Sequence, residues 1–424
     1  MLLASCNKTD DANLPKPTVY IQKTDDGYNL IRNGKPFLIK GAAGSPDYIR
    51  ELKTAGGNTL RIYDTIDLKE SLDKAFELEI AVVVDIPLPK FSLTPKYFED
   101  DQYYLPLRSK VEEVVRRHKD HPALLYWNLG NEIHYPVVYR KTKFFQNYHS
   151  LLDRIHEIDG NHPVSTTFPG APSKIMTSIA IRKPNLDFIS INIFGEISRL
   201  QEKIESDTYI RVGPYVISEW GVNGPWEAQL TQWYAPIEET STKKAEHIRK
   251  RYLEFNVPLK GNNSLGSFLF YWGQKNENTP TWFSLFNEDG KKTQAVFELT
   301  KIWNKDFNEI YTGPEVDYIF LNQKGALDNI ILEAGSLAEV EIFLPKKKQK
   351  NLEYHWEIRE ESWYNFHESI LVENIEFKIR GEKAIFNAPG KEGPYRAFLY
   401  ISNGSDYIAT ANIPFYVLSA EDGE

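Results

Sequence analysis

The chain has one cysteine, two methionines and nine histidines in 424 residues. A single thiol, Cys6, excludes an internal disulfide framework and a cysteine-rich zinc site. No His/Asp/Glu spacing suggests a catalytic metal, so no metal and no cofactor is expected. Runs of about 20 apolar residues are missing, which excludes a membrane-spanning helix. There is no long basic block either. Lys plus Arg number 50 against 59 Asp plus Glu, a net charge of −9. Phosphate contacts dominate nucleic-acid affinity, so nucleic acid is not an expected partner. The apolar share of 41% and charged share of 26% rule out a largely disordered chain. What is abundant is aromatic: 13%, with 9 Trp and 24 Tyr. Flat rings suit a sugar-binding surface and equally a large core.

Residues 1–17 read as a leader and linker. Leu3-Ala4-Ser5-Cys6 is similar to a bacterial lipobox, and the polar stretch after it reads as a tether. The expectation is a lipid anchor at the envelope of a Gram-negative bacterium, on the cell surface or in the periplasm, as the sole membrane contact. The alternative is a stray thiol in a polar tail. Residues 18–36 hold two β-prone runs about Asp25-Asp26-Gly27, a hairpin that would cap the bottom of the succeeding domain.

From Phe37 to about Trp303, short apolar runs alternate with amphipathic stretches. Strands are predicted at 37–42, 58–63, 80–86, 123–129, 163–167, 187–193, 214–219 and 265–272. Helical segments are predicted at 46–56, 67–79, 107–119, 142–158 and 240–255. Eight such units match an α/β fold of the (β/α)8 TIM-barrel type. A doubly wound sheet is the rival, but no Gly-rich phosphate turn follows the first strand. Gly41-Ala42-Ala43-Gly44 is small but lacks that fingerprint. After about residue 310 the pattern becomes short strands with turns, a β-sandwich of immunoglobulin-like size. The expected domains are 18–305, barrel with its hairpin, and 310–424, sandwich. The chain is expected to be a monomer.

In a parallel barrel the active site lies at the C-terminal strand ends. Strand four ends in Trp127-Asn128-Leu129-Gly130-Asn131-Glu132, strand seven in Ile217-Ser218-Glu219-Trp220-Gly221. Two carboxylates facing each other across a barrel mouth can cleave a glycosidic bond, one protonated and one ionised.

These residues carry a resemblance. Gly130-Asn131-Glu132 and Ser218-Glu219-Trp220-Gly221 are similar, in order and placement, to the motifs of clan A retaining β-glycosidases. Asn33-Gly34-Lys35-Pro36-Phe37, Lys40-Gly41 and His121-Pro122-Ala123 resemble glycoside hydrolase family 2. The layout of hairpin, barrel and C-terminal sandwich resembles glycoside hydrolase family 158, bacterial endo-β-1,3-glucanases. The resemblance implies Glu132 as acid/base and Glu219 as nucleophile, about 5–5.5 Å apart. It implies Asn131 on the sugar 2-hydroxyl, Arg61 holding Glu219 ionised, and Trp272 as floor of the reactive subsite. Clan members often place at the end of strand six a tyrosine that donates to the nucleophile. Here that place holds Phe194, so Asn192 or another donor must orient Glu219. His134, Tyr135, Trp220 and Trp226 are further candidates for lining sugar subsites, with Trp233 and Trp282 in loops above the barrel.

The expected partner is a β-glycan, β-1,3-glucan first. An exo-acting family 2-like enzyme on mannan or galactan, and a non-catalytic glycan-binding lipoprotein, are the alternatives.

Overall fold

The computed structural model describes residues 17–89, 93–137, 142–170, 173–206, 213–259, 263–346, 349–362 and 369–419. Cys6 and the lipobox-like stretch lie outside the described residues.

The barrel strands are, in order, Ile39–Gly44, Thr59–Ile62, Ala81–Ile86, Leu124–Leu129, a split fifth strand (Val164–Ser165 and Thr167–Pro169), Ile189–Asn192, Tyr215–Trp220 and Ser264–Trp272. All neighbours pair in parallel. The first half of strand five pairs with strand four and the second half with strand six, so the sheet closes through Thr166. This is a TIM barrel. Its strands are near-continuous apolar runs, such as Val82-Val83-Val84, because helices cover one face and barrel side chains fill the other.

A helix follows each strand: Ile49–Thr54, Leu68–Glu77, Asp101–His118, Lys143–Ile158, Ser173–Arg182, Leu200–Ser206, Ser241–Arg251 and Gln294–Trp303. Lys143–Ile158 shows why they dock. Phe144, Phe145, Tyr148, Leu151, Leu152 and Ile155 recur three and four residues apart, all on the buried stripe. Asp101–His118 starts at Asp100, whose carboxylate accepts from the Gln102 amide, and ends in Arg116, Arg117 and His118, where the helix dipole favours cations.

The small residues of strand one have a packing reason. A Cβ on Gly44 would lie 2.2 Å from the Trp272 carbonyl oxygen, so strand one can approach strand eight only without a side chain there.

The predicted hairpin forms as Val19–Thr24 and Gly27–Arg32, and Lys35–Pro36 adds a short third strand. It lies at the N-terminal end of the barrel: the Val19 amide donates to Asn161 O, and Arg32 donates to Pro122 O.

Beyond the barrel stand two four-stranded sheets. One contains Tyr318–Leu321, Leu337–Phe343, Lys378–Arg380 and Lys383–Asn387. The other contains Ile331–Glu333, Glu353–Glu360, Gly393–Ser402 and Ala409–Leu418. Their inward residues share one apolar core. A buried ionic cluster joins this sandwich to the barrel. Arg396 donates to Glu361, Asn412 and Pro236 O, while Lys244 bonds Glu238 and the carbonyls of Thr281 and Trp282. Among the described residues no helix is long and apolar enough to cross a membrane.

Candidate active site

At the mouth of the barrel one guanidinium organises the chemistry. Arg61, fully buried at the end of strand two, forks onto Asp85 of strand three (Nε to Oδ1 3.0 Å, Nη2 to Oδ2 2.7 Å). Nη2 also donates to Asn131 Oδ1 at 2.8 Å, and Nη1 to Glu219 Oε1 at 3.1 Å and Ser218 O at 3.0 Å. A planar fork with five N–H groups can serve several strand ends at once, which a lysine ammonium cannot. Asp85 takes the bidentate share of the charge, so Glu219 receives a single contact.

Glu219 Oε1 also accepts from the Tyr63 hydroxyl at 2.9 Å. Both donors converge on Oε1, and among the described residues no hydrogen bond reaches Oε2. Burial pushes the Glu219 carboxyl up to about 7, with the negative charge of Glu132 adding to the rise, while Arg61 and Tyr63 pull it down. Burial and the Glu219 charge hold the Tyr63 phenol well above its usual range, so it stays a donor.

Glu132 is positioned by Asn192. The oxygen of Asn192 is pinned by Ser218 Oγ (2.8 Å) and Arg61 Nη1 (3.4 Å), so its nitrogen must face outward. It donates to Glu132 Oε1 at 2.9 Å and Asn131 Oδ1 at 3.1 Å. The Asn131 oxygen is therefore occupied twice, and its amide nitrogen is the group turned to a ligand. The loop that carries Glu132 is contorted. Gly130 has φ 80° and Glu132 itself φ 50°, a left-handed conformation that costs a non-glycine residue about 1 kcal/mol or more. Asn192 holds that arrangement.

Arg61, Asn131, Glu132, Asn192 and Glu219 thus meet in one network. Several expected contacts do not. Asn192 orients Glu132 rather than Glu219. The hydroxyl donor to Glu219, beside the Arg61 guanidinium, is Tyr63, one residue past the end of strand two and absent from the sequence-based expectations. It stands two positions after Arg61, on the same face of the strand end by alternation. Phe194 is buried against Trp226, Phe270 and Phe283.

Trp272 is not a subsite floor. It is fully buried, donates from Nε1 to Tyr48 O and packs on Phe286 and Trp303. Pairing of strand eight with strand one slips between Phe270 and Trp272, and the rings of that strand beside the site are Phe270 and Tyr271, both packed on Tyr63. Trp220 is also fully buried, turned outward onto Tyr252 because it immediately follows inward-facing Glu219. Tyr135 is core, among Phe144, Phe145, Tyr148 and Phe168, with its hydroxyl at His149. Trp282 is buried, and Trp233 packs on Tyr416 of the sandwich.

His134 is exposed just past Glu132. Trp226 is 64% exposed and sits edge-on to Phe194. Glu227 locks its loop by accepting from the Gly195 and Gly224 amides. A cavity of about 390 Å³ opens beside Tyr63 and Tyr271, walled by the loops after strands one and two. Among the described residues no group of three or more His, Cys, Asp or Glu side chains is arranged to hold a metal.

The arrangement can hold one carboxylic acid and one carboxylate over a shared space, each fixed through Oε1. The family model described as glycosyl hydrolases family 2, TIM barrel domain, matches residues 88–304. A beta-galactosidase of Oenococcus oeni is 24% identical over 188 residues, covering 39% of this chain and 17% of its own length. Among solved structures, an FMN-binding beta-glucuronidase from Faecalibacterium prausnitzii L2-6 aligns with TM-score 0.51 and 15% identity, covering 96% of this chain and 60% of that one. A calcium binding mutant of Bacteroides uniformis beta-glucuronidase 2 aligns with TM-score 0.50 and 14% identity, over 95% and 48%. The chain therefore spans about a sixth of that curated relative and about half of these solved chains, which share its fold.

Proposed function

Because the chain belongs to the glycosyl hydrolases of family 2 through their TIM barrel domain, we propose that it is a retaining β-glycosidase with Glu219 as nucleophile and Glu132 as acid/base. The observation that carries this reading is the shared suspension of the two carboxylates. Glu219 Oε1 hangs on Arg61 and Tyr63, Glu132 Oε1 hangs on Asn192, and Arg61 also touches Asn192.

In the first step Glu219 Oε2 forms a bond to the anomeric carbon as the bond to the leaving oxygen breaks, and Glu132 gives its proton to that oxygen. In the second, Glu132 takes a proton from water, the water oxygen bonds to the anomeric carbon, and Glu219 departs as carboxylate. Asn131 meets the sugar 2-hydroxyl with its free amide nitrogen, a contact that strengthens as positive charge grows at the ring. Arg61 and Tyr63 keep Oε1 from competing, so that attack comes from one oxygen.

For the sugar, the domain layout supports β-1,3-glucan and endo action. A second reading, a β-galactoside, is favoured by the name of the Oenococcus oeni relative. The size of the sandwich and its two four-stranded sheets about one apolar core support an immunoglobulin-like module. A lipid anchor at Cys6 and an envelope location remain part of the proposal, resting on the lipobox-like sequence.

The test is a panel of β-glucans, mannans, galactans and aryl β-glycosides, with early product followed by NMR. Cleavage with retained anomeric configuration is expected. Inversion would remove the nucleophile role from Glu219, and binding without cleavage of any glycan would favour a receptor.

A further inference from the structure

The sandwich and the loop after barrel strand eight enclose a second cavity, of about 370 Å³. The barrel contributes Gln274, Asn287 and Glu288, and the sandwich contributes His355, Arg359 and Tyr400. Trp356 and Ile358 fill the sandwich core, so alternation turns His355, Glu357 and Arg359 out of that core. The register sets His355 opposite Tyr400, and the two rings stand 6.1 Å apart at 38°. Glu357 accepts from Tyr400 Oη at 3.1 Å and from Arg359 Nε at 2.7 Å. Gln274 donates to Glu288 at 3.3 Å. Thr293 borders the same cavity. It is 6% exposed, and its hydroxyl has no hydrogen-bond partner among the described residues.

The lining discriminates between ligand classes. Glu288, Asp289, Glu353 and Glu357 face only Lys291 and Arg359 as full cations, and Arg359 is spent on Glu357. An anion gains little there. Apolar side chains are few, which disfavours a lipid or an apolar peptide. Amide, hydroxyl and carboxylate groups beside two ring faces suit a neutral polyhydroxylated ligand, whose hydroxyls pair with planar groups while its C–H faces lie on rings.

The place of the cavity matters as much. Gln274 stands two residues past the end of strand eight. Its neighbour Lys275 lays its ammonium over Phe270 and Tyr271, 5.6 and 5.3 Å from the ring centres. Those rings pack on Tyr63, the donor to Glu219. One loop therefore borders the catalytic mouth on one side and this cavity on the other.

We propose that the cavity is a second glycan-binding site, where the sandwich and the strand-eight loop hold a neutral β-glycan beyond the reacting sugar. The passage of one chain from cavity to mouth rests on the glycosidase reading; binding in the cavity does not. The sandwich is then part of substrate recognition as well as a brace.

The test uses the full chain and a His355→Ala, Gln274→Ala double variant, both positions being exposed. On the glycan polymer that the enzyme cleaves, kcat/KM is expected to fall about tenfold, through KM, for the loss of two side chains' contacts. On the 4-nitrophenyl β-glycoside of the same sugar it is expected to stay within about twofold. Equal losses on both substrates, or none on the polymer, overturn the proposal. A binding arm separates it from the catalytic reading. The His355 ring signals of the Glu219→Gln protein are followed by NMR during titration with hexasaccharides of β-1,3-glucan, β-1,4-mannan and β-1,4-galactan. A saturable shift with one of them supports the site whether or not any glycan is cleaved. No shift with all three overturns it, and leaves the catalytic reading to its own test.

Discussion

Tyr63→Phe deletes one oxygen and tests how the nucleophile is poised. The hydroxyl donates at 2.9 Å to Oε1 of Glu219, whose side chain is buried. A hydrogen bond to a charged group contributes about 1.5–3 kcal/mol, and it favours the ionised carboxyl. Each pH unit corresponds to about 1.4 kcal/mol, so losing the donor raises the Glu219 carboxyl by about one to two pH units. It starts from about 7, where burial has pushed it. In the proposed mechanism Glu219 attacks only when ionised, so the acid limb of kcat/KM is expected to move to higher pH. At pH 6 the variant retains between about a tenth and a hundredth of the parent value, recovering to within about twofold near pH 9.5. The substrate is a 2,4-dinitrophenyl β-glycoside, whose good leaving group needs little help from Glu132, so that the limb reports Glu219. A limb that stays in place, or moves to lower pH, refutes the assignment of Tyr63 as the donor that poises Glu219.

The same geometry sets three further outcomes. The raised folded-state value of Glu219 means that its contribution to stability is fully present below about pH 4.5 and lost as pH rises through about 7, some 3 kcal/mol by pH 8; urea unfolding of Glu219→Gln should lack this loss between pH 5 and 8. Gly130→Ala puts a Cβ 2.6 Å from Ile133 Cγ2 at φ 80°. It should destabilise by about 2 kcal/mol and, by displacing Glu132, lower kcat about tenfold or more, read by denaturation and by steady-state assay. Lys244→Met leaves Glu238 buried without its cation and should cost about 3–5 kcal/mol in urea denaturation.

That Glu132 and Glu219 meet at the C-terminal mouth of the barrel is legible because each sits where an apolar strand run meets its loop, the place where a barrel gathers its candidate catalytic groups. Arg61 was legible for the same reason. Tyr63 is within reach of the same reasoning, since alternation from Arg61 points it to the same side; its hydroxyl does from the end of strand two what was expected from strand six. The tryptophans misled in the opposite way. A ring beside a catalytic residue invites a stacking role, but Trp220 follows Glu219 directly and so faces the helices. Trp272 turns away after a register slip in strand eight that no periodicity reveals. The split of strand five at Thr166, whose hydroxyl bonds Leu129 O, is equally silent in sequence. The cavity between sandwich and barrel depends on how two domains dock, which local patterns do not encode.

The most direct measurement is mass spectrometry of the protein after incubation with a 2,4-dinitrophenyl 2-deoxy-2-fluoro-β-glycoside of the sugar it cleaves. The fluorine slows the second step more than the first, so a glycosyl adduct accumulates. One adduct per chain on the peptide that carries Glu219 is expected, and none with Glu219→Gln. An adduct on Glu132 instead, or rapid turnover of the parent sugar without any adduct, would contradict the account.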